Sequence, residues 1–143
     1  MEIIYSKQNP KVALHLIYRA NEFYNIEEGH RKDIVDAKEF IQVSALKMKK
    51  GQTFKPHQHI WKAGEEKTIA QESWVVIRGS VKCSFYDIDG NLLKEPILNV
   101  GDCSITLAGG HTYSILEDET LVYEYKTGPY KGSKNDKIFI DEN

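Results

Sequence analysis

The sequence predicts an all-β protein of sandwich or barrel type, and three observations predict it. Beyond Glu39, apolar and polar residues alternate with a period of two, as in VKCSFY, where Val81, Cys83 and Phe85 face one way and Lys82, Ser84 and Tyr86 the other. Turn signals recur at the spacing of about eight to twelve residues that marks sandwiches and barrels. Within one of them, DIDGN, the Asp89-Gly90 pair is a strong hairpin signal.

Residues 1–38 read as an N-terminal extension, irregular or partly helical, that packs on a barrel formed by residues 39–143. Asn9-Pro10 can cap a helix carrying Val12, Leu16, Ala20 and Phe23 on one face. The same stretch can alternate as a strand, with Val12, Leu14 and Leu16 together, and periodicity does not separate the two. NIEEGHRKD is polar and reads as a loop. The strand candidates follow in order. EFIQVSALKM ends at KKG, and TFKPHQH is short and extended, with Pro56 placing it at an edge or a strand start. ESWVVI stops at Arg78-Gly79. After VKCSFY come LLKEPIL, CSITL, HTYSIL and TLVYEYK, then a loop, TGPYKGSKND, and a last strand, KIFI.

The chain has 143 residues, enough for one domain with a single solid core. Nineteen Lys and Arg stand against 21 Asp and Glu, for a net charge of −2. No basic block interrupts that balance, which argues against a nucleic-acid or membrane-surface partner. No apolar run can span a bilayer, and the first residues lack the pattern of a signal peptide. Cys83 and Cys103 fit two reduced core thiols, and the expected setting is cytoplasmic.

The H-x-H in KPHQHI carries the functional question. On an extended chain His57 and His59 project from the same face with α-carbons about 6.6 Å apart, so both rings can lean onto one ion. Two ligands do not make a site, because a firmly held divalent metal needs at least three protein groups. Glu72 opens ESWVVIRG on the face of Trp74 and Val76, and a carboxylate in an apolar interior needs a positive partner. His111 follows Gly109-Gly110. Glu65 and Glu66 are nearer to His59 but lie in KAGEEK, which reads as a polar loop. Each of these alone has a plainer reading, as a surface acid or a turn histidine.

GQTFKPHQH, ESWVVIRG and GDCSITLAGGH, in that order, resemble the two motifs of the cupin superfamily, over residues 45 to 127. The resemblance implies a double-stranded β-helix of jelly-roll type. It also implies that His57, His59, Glu72 and His111 face the interior as ligands of a divalent ion: zinc, iron, nickel or manganese. It implies a homodimer as well. The chain departs from the pattern in places. Twelve residues, IWKAGEEKTIAQ, separate His59 from Glu72 where cupins have three or four, so the insert is either a lid anchored by Trp61 or a decorated turn. The second motif is one residue short, with Leu107 in place of a common proline and Ile115 in place of a common asparagine. GGHTYSIL and YEYKTGPY are also similar to uncharacterised cupins of bacterial polysaccharide gene clusters.

Three histidines and one carboxylate leave positions open for a small-molecule ligand. In the strand TLVYEYKT, Val122, Glu124 and Lys126 share one face and Leu121, Tyr123 and Tyr125 the other. If the first face lines the barrel, Glu124 is a candidate general base and Lys126 a candidate anion binder; otherwise both lie on the surface. Tyr113 should share the face of His111 and is a candidate catalytic residue. Trp74 is a candidate substrate-binding wall or a core tryptophan. The expected function is a metal-dependent enzyme on a small polar metabolite such as a sugar derivative, of isomerase or epimerase type. The alternatives are an iron-dependent dioxygenase and a non-catalytic ligand-binding cupin. There is no nucleophile elbow, no phosphate-cradling loop and no C-x-x-C pair.

Overall fold

A computed structural model of the chain describes residues 1–62 and 68–140. In chain order the strands are β1 (Glu2–Tyr5), β2 (Ala13–Ile17), β3 (His30–Asp33), β4 (Ile41–Met48), β5 (His57–His59), β6 (Trp61–Lys62), β7 (Thr68–Ile69) and β8 (Glu72–Arg78). They continue as β9 (Val81–Tyr86), β10 (Leu92–Lys94), β11 (Ile97–Leu98), β12 (Cys103–Thr106), β13 (Gly110–Ile115), β14 (Thr120–Thr127) and β15 (Lys137–Phe139). Two antiparallel sheets enclose the interior. One runs β12-β8-β14-β4-β3, and the other β10-β9-β13-β5-β15, with β11 also beside β9. This is the all-β, double-stranded β-helix architecture that the sequence predicts.

Period-two alternation builds the core. Leu46, Met48, Trp74, Val76, Val81, Cys83, Tyr113, Ile115 and Val122 are all buried in one cluster drawn from both sheets. Burying one such apolar side chain stabilises the fold by roughly 1.5–3 kcal/mol. The motif glycines are turns. Gly79 (φ +78°) has a left-handed backbone, and a Cβ there would strike the Thr120 side chain. Gly109 (φ +80°) lies against the Tyr86 carbonyl, which sharpens the entry into β13 ahead of His111.

The N-terminal ambiguity resolves toward strand. β1 and β2 form a separate hairpin whose Ile3, Ile4, Val12, Leu14 and Leu16 are exposed. A 3₁₀ helix, Ala20–Asn25, follows, and its Phe23 packs with Ile26 and Ala45 on the outer face of the β4–β14 sheet. Two sequence expectations need correction. The end of NIEEGHRKD is not loop: His30–Asp33 pairs with β4 as the edge strand β3. It shows no apolar alternation because its inward residues, Arg31 and Asp33, face a charged cavity, not the core. Cys103 is not a core thiol. On the edge strand β12 the inward residues are Ser104 and Thr106, which leaves Cys103 exposed while Cys83 is buried. At the two ends of the insert β6 pairs with β7, and Trp61 is 63% exposed. The tip of the insert, with Glu65 and Glu66, lies outside the described residues, as does any lid formed there.

Candidate metal centre and cavity

β13 pairs with β5 so that His111 lies directly across from His57. His59 shares their face two residues on, and Glu72, the first residue of β8, enters from the opposite sheet. All four are buried, and each offers a ligand atom within 4.8 Å of the others. Two ligands at 2.0–2.1 Å from one zinc can be no more than about 4.2 Å apart, so the set needs only a small contraction to fit.

The ring nitrogens have assigned directions. His57 Nδ1 lies 3.0 Å from the Lys55 carbonyl, which makes it the donor and leaves the Nε2 lone pair facing inward. His59 Nδ1 lies 3.1 Å from Asp136 Oδ2, and its Nε2 lies 3.2 Å from Glu72 Oε2. Both partners of His59 accept, so these contacts favour its protonated form. His111 Nε2 lies 3.2 Å from Glu72 Oε1. The Glu72 carboxylate thus spans the two histidines.

The H-x-H histidines are shifted in opposite directions. Burial pushes His57 down to about 3, helped by Coulombic repulsion from His111 and Lys137. Burial also opposes protonation of His59, but hydrogen bonds to Asp136 and Glu72 outweigh it and raise its pKa. Burial works against the Glu72 carboxylate, yet hydrogen bonds from His111 and His59 hold it well below its usual range. Asp136 is lowered in the same way: His59, Lys126 and Lys62 outweigh its burial.

Beside these residues opens a cavity of about 330 Å³. The inward face of β14 is the one carrying Val122, Glu124 and Lys126, so Glu124 is 7% exposed and lines the cavity with Lys126, Trp74 and Tyr113. Arg31 Nη2 donates to Glu124 Oε1 at 3.0 Å and Nη1 to Oε2 at 3.4 Å. Burial raises the Glu124 pKa, with a contribution from the Glu72 charge, and Arg31 and Lys126 counteract it in part. Tyr113 stacks on Trp74 (ring centroids 3.9 Å apart, 9° between planes) and its hydroxyl lies 3.0 Å from Ser104 Oγ. Burial keeps that phenol well above its usual pKa, reinforced by the Glu72 charge. Trp74 Nε1 is buried and has no hydrogen-bond partner among the described residues.

Three residues of the site are absent from the sequence-based candidates. Arg31 sat in a segment that reads as loop. Asp136 (0% exposed) receives Lys62 Nζ at 3.1 Å and Lys126 Nζ at 3.3 Å as well as His59. Lys137, next to it, opens β15 opposite His59 and places its Nζ 3.2 Å from His57 Nε2.

No family model matches the chain, and no curated protein matches it by sequence. Solved structures do match. An uncharacterized conserved protein with a double-stranded β-helix domain from Klebsiella pneumoniae aligns with TM-score 0.62 at 15% identity, over 97% of this chain and 98% of that one. KdgF from Halomonas sp. aligns with TM-score 0.53 at 20% identity, over 71% and 80%. The capsular polysaccharide assembling protein CapF from Staphylococcus aureus aligns with TM-score 0.61 at 17% identity, over 78% of this chain but only 32% of CapF. At such identities the likeness is one of fold: this chain is a cupin-fold protein, a double-stranded β-helix. Among the described residues no helix is long and apolar enough to cross a membrane.

Proposed function

We propose that the chain is a metal-dependent enzyme acting on a small polar metabolite, such as a sugar derivative, by proton transfer of the isomerase or epimerase type. The observation that carries this reading is the convergence of His57, His59, Glu72 and His111 at the edge of a cavity whose wall presents a buried carboxylate, Glu124. Three imidazoles and one carboxylate suit zinc, iron, nickel or manganese. The bound ion would polarise a substrate carbonyl or hydroxyl oxygen as a Lewis acid.

The chain's own residues supply the rest. Glu124 acts as general base, with its pKa raised by burial and its orientation fixed by the Arg31 fork. Trp74 offers its unpartnered Nε1 to a ligand oxygen and, with Tyr113, a flat wall. Tyr113 keeps its proton and serves as a hydroxyl donor steadied by Ser104. Lys126, tied to Asp136, contributes positive charge at the mouth. Asp136 fixes the His59 ring, the role carboxylates commonly take behind metal-bound histidines. The description of CapF as assembling a capsular polysaccharide supports a carbohydrate context. The base beside the centre favours proton transfer over a dioxygenase or a purely binding role.

The reading extends to a cytoplasmic homodimer. Free Cys83 and Cys103 accord with a reducing compartment, and the exposed apolar side chains of the β1–β2 hairpin offer a surface for a second copy. The test is solvent exchange. Metal-reconstituted protein incubated in D2O with a panel of aldoses and ketoses should catalyse deuterium incorporation beside the carbonyl, and Glu124→Gln should abolish it. Incorporation at the same rate in the variant would remove Glu124 from the role of base.

A further inference from the structure

We infer that the cavity takes an anionic ligand, a small hydroxycarboxylate, and that Lys137 is the residue that recognises its carboxylate once a cation holds His57. This rests on the metal-dependent reading above and specifies the ligand class.

Lys137 Nζ lies 3.2 Å from His57 Nε2. His57 Nδ1 is committed to the Lys55 carbonyl, so the ammonium donates to the same lone pair that a metal would take. Metal and ammonium cannot share it. Loading the site therefore leaves Lys137 without its acceptor, at the edge of the cavity. The other cations around the cavity have carboxylates: Arg31 has Glu124 and Asp33, and Lys126 and Lys62 share Asp136. Among the described residues no carboxylate pairs with Lys137.

The charge balance points the same way. Among the lining side chains, Arg31, Lys126 and Lys137 are matched by Asp33, Glu72 and Glu124. Lys62 and Asp136, just behind them, cancel. With neutral imidazoles, a divalent ion leaves an excess of two positive charges in a largely enclosed space, where uncompensated charge is costly. An anion relieves it. A carboxylate matches the single ammonium that metal binding frees. Glu124 and Trp74 Nε1 offer an acceptor and a donor for a hydroxyl on the same ligand.

The test uses the full chain and glycolate, the smallest probe of this class, with uncharged glycolamide and methyl phosphate beside it. Calorimetric titration of the zinc-loaded protein should show glycolate binding at least tenfold more tightly than glycolamide or methyl phosphate. Lys137→Met should abolish that preference while binding zinc as tightly as the unaltered chain or more so, since the competing ammonium is gone. Lys137→Arg should restore part of the preference. Lys137→Gln replaces the methionine variant if the latter does not fold. Equal affinity for glycolate and glycolamide overturns the inference. So does tighter binding of methyl phosphate, an undiminished preference in the variant, or weaker zinc binding by the variant. Failure of the unaltered chain to bind zinc overturns the metal-dependent reading itself; zinc binding without a glycolate preference overturns only the ligand class.

Discussion

The two ends of the barrel interior are built from the same strands and differ in almost everything else. β8 runs inward from Glu72 through Trp74 to Val76, β13 from His111 through Tyr113 to Ile115, and β14 from Lys126 through Glu124 to Val122. Each strand therefore delivers a polar or ionisable group at one end and an apolar group at the other, with aromatic Trp74 and Tyr113 stacked between on two of them. The apolar end is close-packed by Leu46, Met48, Val76, Val81, Cys83, Ile115 and Val122. The charged end holds its histidines and acids by hydrogen bonds around open space. Stability should therefore reside in one end and binding in the other.

Substitutions should break the comparison cleanly. His111→Ala and His57→Ala should each weaken metal binding by at least about 100-fold, more than the loss typical of a supporting residue, while the metal-free melting temperature changes little. Metal titration and thermal melts check both halves of that statement. Leu46→Ala at the apolar end should do the reverse, costing about 2–5 kcal/mol in denaturant unfolding while the folded fraction still binds metal. Asp136→Asn, which removes the carboxylate behind His59, should weaken metal binding by about 10–100-fold.

The smallest effect is one of pH in the metal-free protein. His57 has a folded pKa of about 3, below its unfolded value of 6.5, so the stability it contributes is present above pH 6.5 and is lost as pH falls toward 3. His59 is raised, so its contribution is complete below pH 6.5 and disappears as pH rises through its folded value. NMR titration of the two imidazoles should show them moving apart, and metal binding at a pH below the folded value of His59 should release its Nε2 proton. Two rings titrating together would contradict the hydrogen-bond assignments.

Much of this division was legible in the sequence because it follows period-two alternation. Val81, Cys83, Trp74 and Val76 declared the core, and the resemblance carried by the glycine-framed motifs implied that His57, His59, Glu72 and His111 converge, as they do. Arg31 and Lys137 were hidden for a physical reason. They sit on short edge strands whose inward side faces charge and solvent, so no apolar period marks them. Asp136 matters only through contacts with His59, Lys62 and Lys126, which are distant in sequence. Cys103 misled because CSITL carries apolar residues in its outward register.

The most direct test is an anomalous difference map from a crystal of the protein grown with zinc and without chelator. The account predicts one peak per chain bonded to the three histidine Nε2 atoms and a Glu72 oxygen, with Lys137 turned away from His57. A map with no peak among those side chains, or with the strongest peak elsewhere on the molecule, would contradict it.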